Sequence, residues 1–338
     1  MLTLLAGAAV ACSSGSRTTT AEPTGSPRGT TSSGGDARES PSPRRSSAQT
    51  VEDFEPLAGD AFPNAKRLAG RFVQALTTYD GDTAWREIFN EAARPRDRLF
   101  KRAAAMRRAE PLFVRGARSR GEIVYPQLGG LAFGTGLDRC ALMVVVRQDF
   151  VEDNGTARSV TRTVDVRLIN RDDGWTIEDF RHAGGREIPR PNDLSEAATG
   201  VLDSDRITLP DSARWDIHAG KVDERLLRQM LAVSQTYTYS VAVLKNGHPT
   251  KVFGTDRVSG HTQGRACDIW QINGMPVVLQ QPDRDTDAHV FTTRLLDDGV
   301  PELGSPWDLD GPPTPGETRP SFTDAVHADH IHVAFKAR

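Results

Sequence analysis

The chain has 338 residues, 37% of them apolar and 26% charged, which is typical of a soluble protein long enough to form two domains. Its formal net charge of -3 and pI near 6.3 give no field that would attract nucleic acid, so we expect no nucleic-acid partner. No apolar run reaches the roughly 18 to 20 residues of a membrane-spanning helix. The Arg-rich segment 94–108 is interleaved with Glu and apolar residues and is predicted to be a solvated helix face.

The N-terminus carries a short apolar stretch, residues 2–11, that ends in small residues as a secretory signal does. The sequence Ala9-Val10-Ala11-Cys12 resembles a bacterial lipoprotein lipobox, in which the Cys is acylated and becomes the mature N-terminus. This resemblance predicts a signal over residues 1–12, a lipid on Cys12, and a protein that is anchored to the outer face of the cell membrane or secreted. An ordinary apolar N-terminus is the alternative.

Residues 13–52 are predicted to form a disordered tether. Up to residue 50 this segment is rich in Ser, Thr, Pro and Gly, and it contains no aromatic residue and no Val, Ile, Leu or Met. Such a composition cannot bury a core. A flexible chain of this length has a root-mean-square reach of about 35 Å, which would let an anchored domain search the adjacent cell wall.

Residues 53–185 are predicted to form a first domain in which helices precede an antiparallel sheet. Apolar residues at helical spacing predict helices over 64–79, with Asn64 as the cap, around Trp85, and over 96–107. Period-two alternation then predicts strands over 112–117, 121–125, 140–150, 160–169 and 175–180. This order resembles the cone-shaped nuclear-transport-factor-like fold. We interpret the domain as a scaffold or ligand-cupping module, with a second enzyme as the alternative.

The Gly-, Pro- and Asp-rich residues 186–215 are predicted to be a linker, and residues 216–338 a second domain. The fold class is therefore predicted to be α+β with two domains. In the second domain, apolar periodicity and turn residues predict a helix over 223–234 capped by Asp223, strands over 237–245, 266–273 and 275–279, a turn at Asn273-Gly274, a helix over 287–298 and a last strand over 330–335.

Four of the eight histidines fall within two short clusters. The first cluster spans 259–268 and reads SGHTQGRACD, and the second spans 327–333 and reads HADHIHV. A catalytic zinc ion needs three His or carboxylate ligands and an open position for water, and the two clusters contain residues of both kinds.

The spacing within the clusters suggests which side chains can meet. A turn at Gly264 would bring His261 and Asp268 together. His330 and His332 are two residues apart on a predicted strand and share a face, so spacing alone leaves both as candidates for the third ligand. A carboxylate beside a metal-activated water is the natural general base, and Asp329 is such a carboxylate.

Both clusters resemble the zinc D-Ala-D-Ala carboxypeptidases and related endopeptidases of the hedgehog/DD-peptidase fold. The family pattern S-x-H-x-x-G-x-A-x-D is matched in full by Ser259, His261, Gly264, Ala266 and Asp268. Its later D/E-x-x-H is matched by Asp329 and His332.

The resemblance implies that His261, Asp268 and His332 bind Zn2+ and that Asp329 is the general base. It also implies that His327, two residues before Asp329, stabilises the tetrahedral intermediate. His330 then becomes a supporting residue outside the ligand set.

The family binds the substrate carboxylate with an Arg upstream of the first zinc His, whereas residues 243–248 of this chain read VLKNGH. Lys245 and Arg257 are the candidates for that charge, and with Ser259 they form the predicted substrate-binding set. His248 and His218 are predicted to be loop or surface histidines.

Together these features predict an exported zinc metallopeptidase that cleaves peptidoglycan stem or cross-link peptides. The alternative is a non-catalytic cell-wall-binding or sensor lipoprotein that retains the peptidase fold. The sequence leaves open the oligomeric state and whether Cys140 and Cys267 form a disulfide or remain two buried thiols.

Overall fold

The computed structural model describes residues 51–94, 96–133, 138–171, 174–311 and 319–337. The predicted signal, Cys12 and the predicted tether up to residue 50 lie outside these residues. The described residues belong to one compact unit, Thr50–Arg338. Within them, no helix has the length and apolar character needed to cross a membrane.

Three helices open the unit: α1, Pro63–Thr77; α2, Trp85–Ala92; and α3, Arg102–Ala109. The prediction that Asn64 caps the first helix is wrong, because the helix begins at Pro63 and no side chain caps it. Proline suits this position, since its fixed φ matches the helix and its missing N–H is not needed there. The third helix begins later than predicted because the backbone at Asp97 bonds instead to Ile177.

The first sheet contains four antiparallel strands in the order β1-β2-β3-β4. They are β1, Ala117–Ala132; β2, Asp138–Glu152; β3, Ala157–Arg171; and β4, Gly174–His182. The predicted strand over 112–117 is wrong, because the chain there forms a 3-10 turn, Glu110–Leu112, and a loop before β1. Helix α1 covers one face of the sheet, where Phe72 and Leu76 pack with Leu128, Leu142 and Val166.

The prediction of a linker over 186–215 is also wrong. This segment contains α4, Glu196–Asp203; β5, Ile207–Thr208; and most of α5, Asp211–His218. Val201, Leu202 and Ile207 are buried in the core of the second half of the chain. The Gly and Pro content suggested a linker, but tertiary packing of a few apolar residues makes these short elements part of the fold.

After α5 the chain forms two longer helices, α6, Glu224–Ser234, and α7, Asp287–Asp297. Its remaining strands are β6, Tyr239–Val243; β7, Ala266–Ile272; β8, Met275–Pro276; β9, Glu302–Gly304; β10, Ser321–Phe322; and β11, Ile331–Ala334. With β5 these strands form a second, mixed sheet in the order β10-β9-β11-β7-β6-β5, in which β8 also pairs with β7. Asp223 caps α6 as predicted, since its side chain accepts a hydrogen bond from Arg225 N. The predicted turn at Asn273-Gly274 is confirmed, with positive φ at both residues. Strands β9 and β10 were not predicted.

The architecture is α+β, as predicted, and the two sheets pack against each other within the one unit. The contact is apolar: Tyr125 of the first sheet stacks on Trp270 of the second with ring centroids 4.8 Å apart. Met143 of the first sheet packs with Val243 of the second. Cys140 and Cys267 are both buried and free, so the alternative of two unpaired thiols is confirmed.

A buried cluster of charges also crosses this contact. Lys66 of α1 lies 2.6 Å from Asp329 Oδ2, and its ammonium group also pairs with Asp60. The side chains of all three residues are fully buried. Tyr125 completes the cluster by donating a hydrogen bond to Asp60 Oδ1 at 3.1 Å. Because two carboxylates are buried around one ammonium group, Lys66 is the counter-charge for both.

We expect Lys66→Met to lower the free energy of unfolding by about 3 to 5 kcal/mol, since it leaves buried carboxylates without their cation. The matched control is Arg71→Met on the same helix, whose ion pair with Glu55 is exposed to solvent and should contribute little. Urea denaturation of the two variants measures the difference. Equal losses would contradict the role of Lys66.

Candidate metal centre

The pairing of β7 with β11 brings the first two candidate ligands together. In this antiparallel ladder His332 lies directly opposite Asp268. Residues opposite each other on adjacent strands project from the same face of the sheet. His332 Nδ1 consequently lies 2.8 Å from Asp268 Oδ1.

The loop before β7 adds the third candidate ligand, His261. Gly264 has φ +68°, and a Cβ at this position would collide with the carbonyl oxygen of Lys221, so only glycine fits the turn. Gly264 N donates a hydrogen bond to His261 O at 2.9 Å, which closes the turn. His261 Nε2 then lies 3.1 Å from Asp268 Oδ1. The predicted turn at Gly264 and the convergence of His261 with Asp268 are both confirmed.

A backbone carbonyl fixes the orientation of the His261 ring. His261 Nδ1 lies 2.6 Å from Leu244 O, and since a carbonyl oxygen can only accept, Nδ1 carries the proton. In the neutral ring Nε2 therefore presents a lone pair. That lone pair faces Asp268 Oδ1 and His332 Nδ1, the latter at 3.2 Å. This is the arrangement in which a histidine ligand is held for a metal ion.

The three donor atoms fit one face of a zinc tetrahedron. Their separations are 2.8, 3.1 and 3.2 Å. Bonds of 2.0 to 2.2 Å at tetrahedral angles would place such atoms about 3.3 Å apart, so a shift of a few tenths of an ångström suffices. Two imidazole nitrogens and one carboxylate oxygen also form a donor set that zinc binds, with the fourth position left for water or substrate.

The electrostatics of the cluster keep Asp268 ionised. Burial alone would raise the pKa of this carboxyl group, but the positive charge of the His261 and His330 rings in their protonated forms holds the pKa well below its ordinary value. Asp268 is only 1% exposed, so the negative charge is enclosed by protein. A buried anion facing ring nitrogens is a site that favours a cation.

The structure adds a histidine that was predicted to lie on a loop or at the surface. The His248 ring stacks on His261, with centroids 3.9 Å apart and planes at 18°, and burial lowers the pKa of His248 well below its usual value. Donor atoms of His248, His261 and Asp268 lie within 4.8 Å of one another. His332 stays the candidate third ligand because its Nδ1 contacts both other donors, Asp268 Oδ1 at 2.8 Å and His261 Nε2 at 3.2 Å. His248 is a further candidate: its Nδ1 lies 2.9 Å from Pro249 O, which leaves Nε2 as its donor atom, as in His261. No sequence motif signalled His248.

His330 lies behind the candidate ligands. Its Nδ1 is 2.7 Å from Asp329 Oδ1, and its Nε2 is 3.9 Å from Asp268 Oδ2. Burial lowers the pKa of His330, but the two carboxylates raise it above its ordinary value. The ring therefore bridges two acidic groups, in agreement with a supporting role.

The predicted role of Asp329 as general base does not fit its surroundings. Asp329 Oδ1 faces His330, and Oδ2 accepts a hydrogen bond from Leu128 N at 3.0 Å and pairs with Lys66. Its side chain has no exposed surface. Burial raises the pKa of Asp329, but Lys66 and His330 bring it below the ordinary value. A carboxylate with both oxygens occupied by protein donors holds His330 in place and has no face open to a water molecule.

His327 lies beside the ligands with 14% of its side chain exposed. Its ring centroid is 5.6 Å from that of His332 and 5.0 Å from that of His330. Nδ1 lies 2.7 Å from Asp324 Oδ1, so Nδ1 carries the proton and Nε2 of the neutral ring presents a lone pair. Burial lowers the pKa of His327 and favours this neutral form. In this tautomer Nε2 can accept a proton, and the predicted role of His327 in stabilising the oxyanion stays a prediction.

Two further residues that motif matching missed shape the centre. Asp324 precedes His327 by three residues, and that spacing was the only available signal for the pair. Gly304 of β9 faces the same ring, where a Cβ would lie 2.5 Å from His327 Cδ2. Any larger residue at Gly304 would displace His327.

The predicted substrate-binding residues lie around the centre but outside the ligand cluster. Ser259 is buried, and its hydroxyl accepts a hydrogen bond from His261 N at 3.2 Å, so it holds the loop and is not open to substrate. The Lys245 ammonium group donates to the carbonyl oxygen of Thr262. Arg257 is exposed on the turn between Lys251 and Val258. Substrate binding by Lys245 and Arg257 stays a prediction.

The sequence matches no protein-family model and no curated protein. Among solved structures, a periplasmic fragment of TraM is similar to 34% of this chain over 93% of its own length, with a TM-score of 0.28 and 11% identity.

We expect the purified protein to bind about one zinc ion per chain. His261→Ala and Asp268→Asn should each weaken zinc affinity by more than roughly 100-fold. Changes to groups that only support a ligand already weaken metal affinity about 10- to 100-fold, and loss of a ligand should weaken it more. The control is His289→Ala on α7, which removes a ring that packs against Trp307 in a T-shaped contact with centroids 5.3 Å apart and should leave the affinity unchanged. Metal analysis after dialysis and competition with a chromogenic chelator measure both quantities. A wild-type protein without zinc would contradict the assignment.

Proposed function

We propose that this protein is a zinc-dependent peptidase that cleaves peptidoglycan stem or cross-link peptides. The observation that carries the proposal is the convergence of His261 Nε2, Asp268 Oδ1 and His332 Nδ1 within 3.2 Å. The Asp324–His327 pair lies beside them. Three ligand atoms of this kind next to an oriented imidazole are the parts that metal-assisted amide hydrolysis requires.

In the proposed reaction, metal binding, proton transfer and orientation of the proton acceptor are carried out by different residues. His261, Asp268 and His332 would hold the metal ion, which supplies a Lewis acid that polarises the amide carbonyl and lowers the pKa of a water molecule. His327 Nε2 accepts a proton from the attacking water and returns it to the amine nitrogen as the C–N bond breaks. Asp324 orients the ring for both transfers. This proposal transfers the role of general base from Asp329 to His327.

The cell-wall substrate is proposed from the sequence motifs, which resemble those of zinc DD-peptidases. On the same ground we propose a hedgehog/DD-peptidase-like fold for the second half of the chain. The order of helices followed by an antiparallel sheet is the ground on which we propose a nuclear-transport-factor-like cone for the first half. No Arg occupies the position at which the family binds a free terminal carboxylate, and the Lys245 ammonium group is engaged with Thr262 O. The proposed substrates therefore include internal cross-link peptides as well as stem peptides.

The proposed location is the outer face of the cell membrane, through a lipid on Cys12. It rests on the apolar segment 2–11, the lipobox-like Ala9-Val10-Ala11-Cys12 and the polar segment that follows. An anchored enzyme at the end of such a tether would meet the peptides of the adjacent wall.

The second candidate function is a cell-wall-binding or sensor lipoprotein that binds zinc without catalysis. Its support is the enclosed state of Asp329, the residue that matches the family's general base, together with the engaged Lys245. A protein of this kind would bind wall peptides and release none.

We expect chelation of the metal to abolish peptide release from purified peptidoglycan, and stoichiometric zinc to restore it. His327→Gln should lower kcat roughly 10²- to 10⁴-fold, since it removes the proton acceptor, while the zinc content stays unchanged. Liquid chromatography with mass spectrometry of the released peptides, alongside metal analysis, measures both. The control is His218→Gln at the last residue of α5, a histidine whose Nδ1 lies 2.7 Å from Ile188 O, a contact outside the ligand cluster.

Each outcome of this experiment has one meaning. A zinc-loaded wild type that releases no peptide would support the non-catalytic alternative. Full activity in His327→Gln would show that another group accepts the proton.

A further inference from the structure

The first sheet contributes a side chain to the back of the metal centre. Gln127 of β1 is fully buried, and its Nε2 lies 2.7 Å from Asp268 Oδ2 on the second sheet. A carboxylate can only accept hydrogen bonds, so the amide nitrogen, and not its oxygen, must face Asp268. Gln127 Oε1 has no partner among the described residues. A buried amide that leaves its oxygen unpaired incurs a free-energy cost, and such an exception needs an explanation.

The two carboxylate oxygens of Asp268 have different partners. Oδ1 faces His261 and His332 at 3.1 and 2.8 Å, whereas Oδ2 receives the Gln127 amide. His330 Nε2 lies further from Oδ2, at 3.9 Å. The Gln127 hydrogen bond therefore fixes the rotation of the carboxylate and directs Oδ1 to the ligand position.

Three neighbouring hydrogen bonds and ion pairs hold the side chains that lie next to Asp268. Leu128 N, one residue along β1, donates to Asp329 Oδ2, which Lys66 of α1 also contacts. Asp329 in turn holds His330 behind Asp268. Consecutive residues of β1 thus bond to the two acidic side chains that support the centre.

From these contacts we infer that Gln127 is a positioning residue for the metal ligand Asp268, so that the first sheet completes the metal centre. The inference rests on the proposed function, because it concerns the same metal. The first half of the chain then takes part in metal binding, although no motif in residues 53–185 indicates this role. Groups that hydrogen-bond to metal ligands typically change metal affinity 10- to 100-fold when they are removed.

The chain offers a closely matched control, Gln148 on β2 of the same sheet. Gln148 is also fully buried, its Nε2 donates to Leu112 O and Ser119 Oγ at 2.8 Å each, and its Oε1 likewise has no partner among the described residues. These contacts lie within the first half of the chain. Replacing Gln148 therefore reproduces the loss of a buried amide without touching Asp268.

The experiment compares full-length Gln127→Leu, Gln148→Leu and wild type by chelator competition for zinc at one pH. We expect Gln127→Leu to bind zinc 10- to 100-fold more weakly and Gln148→Leu to stay within about twofold of wild type. The visible spectrum of the Co2+-substituted protein should change in Gln127→Leu alone, because it reports the geometry of the ligands. Urea denaturation of the metal-free proteins verifies that both variants fold.

The outcomes separate this inference from the proposed function. Zinc affinity and cobalt spectra that are the same in both variants would overturn the role of Gln127 and leave the metal centre standing. A wild type that binds no zinc would overturn both. If Gln127→Leu does not fold, Gln127→Asn retains the amide but is shorter by one methylene group, and the same comparison applies.

Discussion

The ionised Asp268 carboxylate is the group around which the two halves of the chain are arranged. A charge that is buried to 1% exposure costs several kcal/mol unless its oxygens are paired, and here four side chains from three places in the sequence surround the carboxylate. His261 arrives through a glycine turn, His332 through strand register, His330 from the position just before β11, and Gln127 from the other sheet. The three candidate donors belong to the second half of the chain, and the first sheet adds the hydrogen bond that Asp268 Oδ2 accepts.

The contact between the sheets therefore has two functions in one interface. The stack of Tyr125 on Trp270 buries apolar surface between the sheets. The Lys66–Asp329 ion pair and the hydrogen bond from Gln127 to Asp268 require a defined orientation of the groups that they join. Hydrophobic contacts are indifferent to small rotations, whereas hydrogen bonds to a carboxylate are not. The polar contacts define the register in which the first sheet meets the centre, and the apolar contacts hold it there.

Local sequence patterns predicted the helices and strands that have strong periodicity, and they failed for the elements that tertiary packing stabilises. The helix beginning after Asp223 and the strands on either side of Gly264 were predicted, because caps, turns and alternation act over a few residues. The composition of residues 186–215 predicts a linker and misses the short elements α4, β5 and α5, because eight-residue helices gain their stability from tertiary contacts. His248 and Gln127 were missed for a related reason: each reaches the site across a distance in sequence that no motif spans.

The sequence by itself indicated the candidate donors: His261 and Asp268 on either side of a predicted turn at Gly264, and the later histidines His330 and His332, between which spacing alone did not choose. The tertiary structure decided the roles. It placed His332 opposite Asp268, enclosed Asp329 against Lys66, and left His327 beside the ligands with a nitrogen lone pair. The physical reason is that ligand type is a property of a side chain, whereas accessibility, tautomer and orientation depend on the groups that surround it. Leu244 O and Asp324 orient the His261 and His327 rings from the second half of the chain, whereas Lys66 and Gln127 contact Asp329 and Asp268 from the first half.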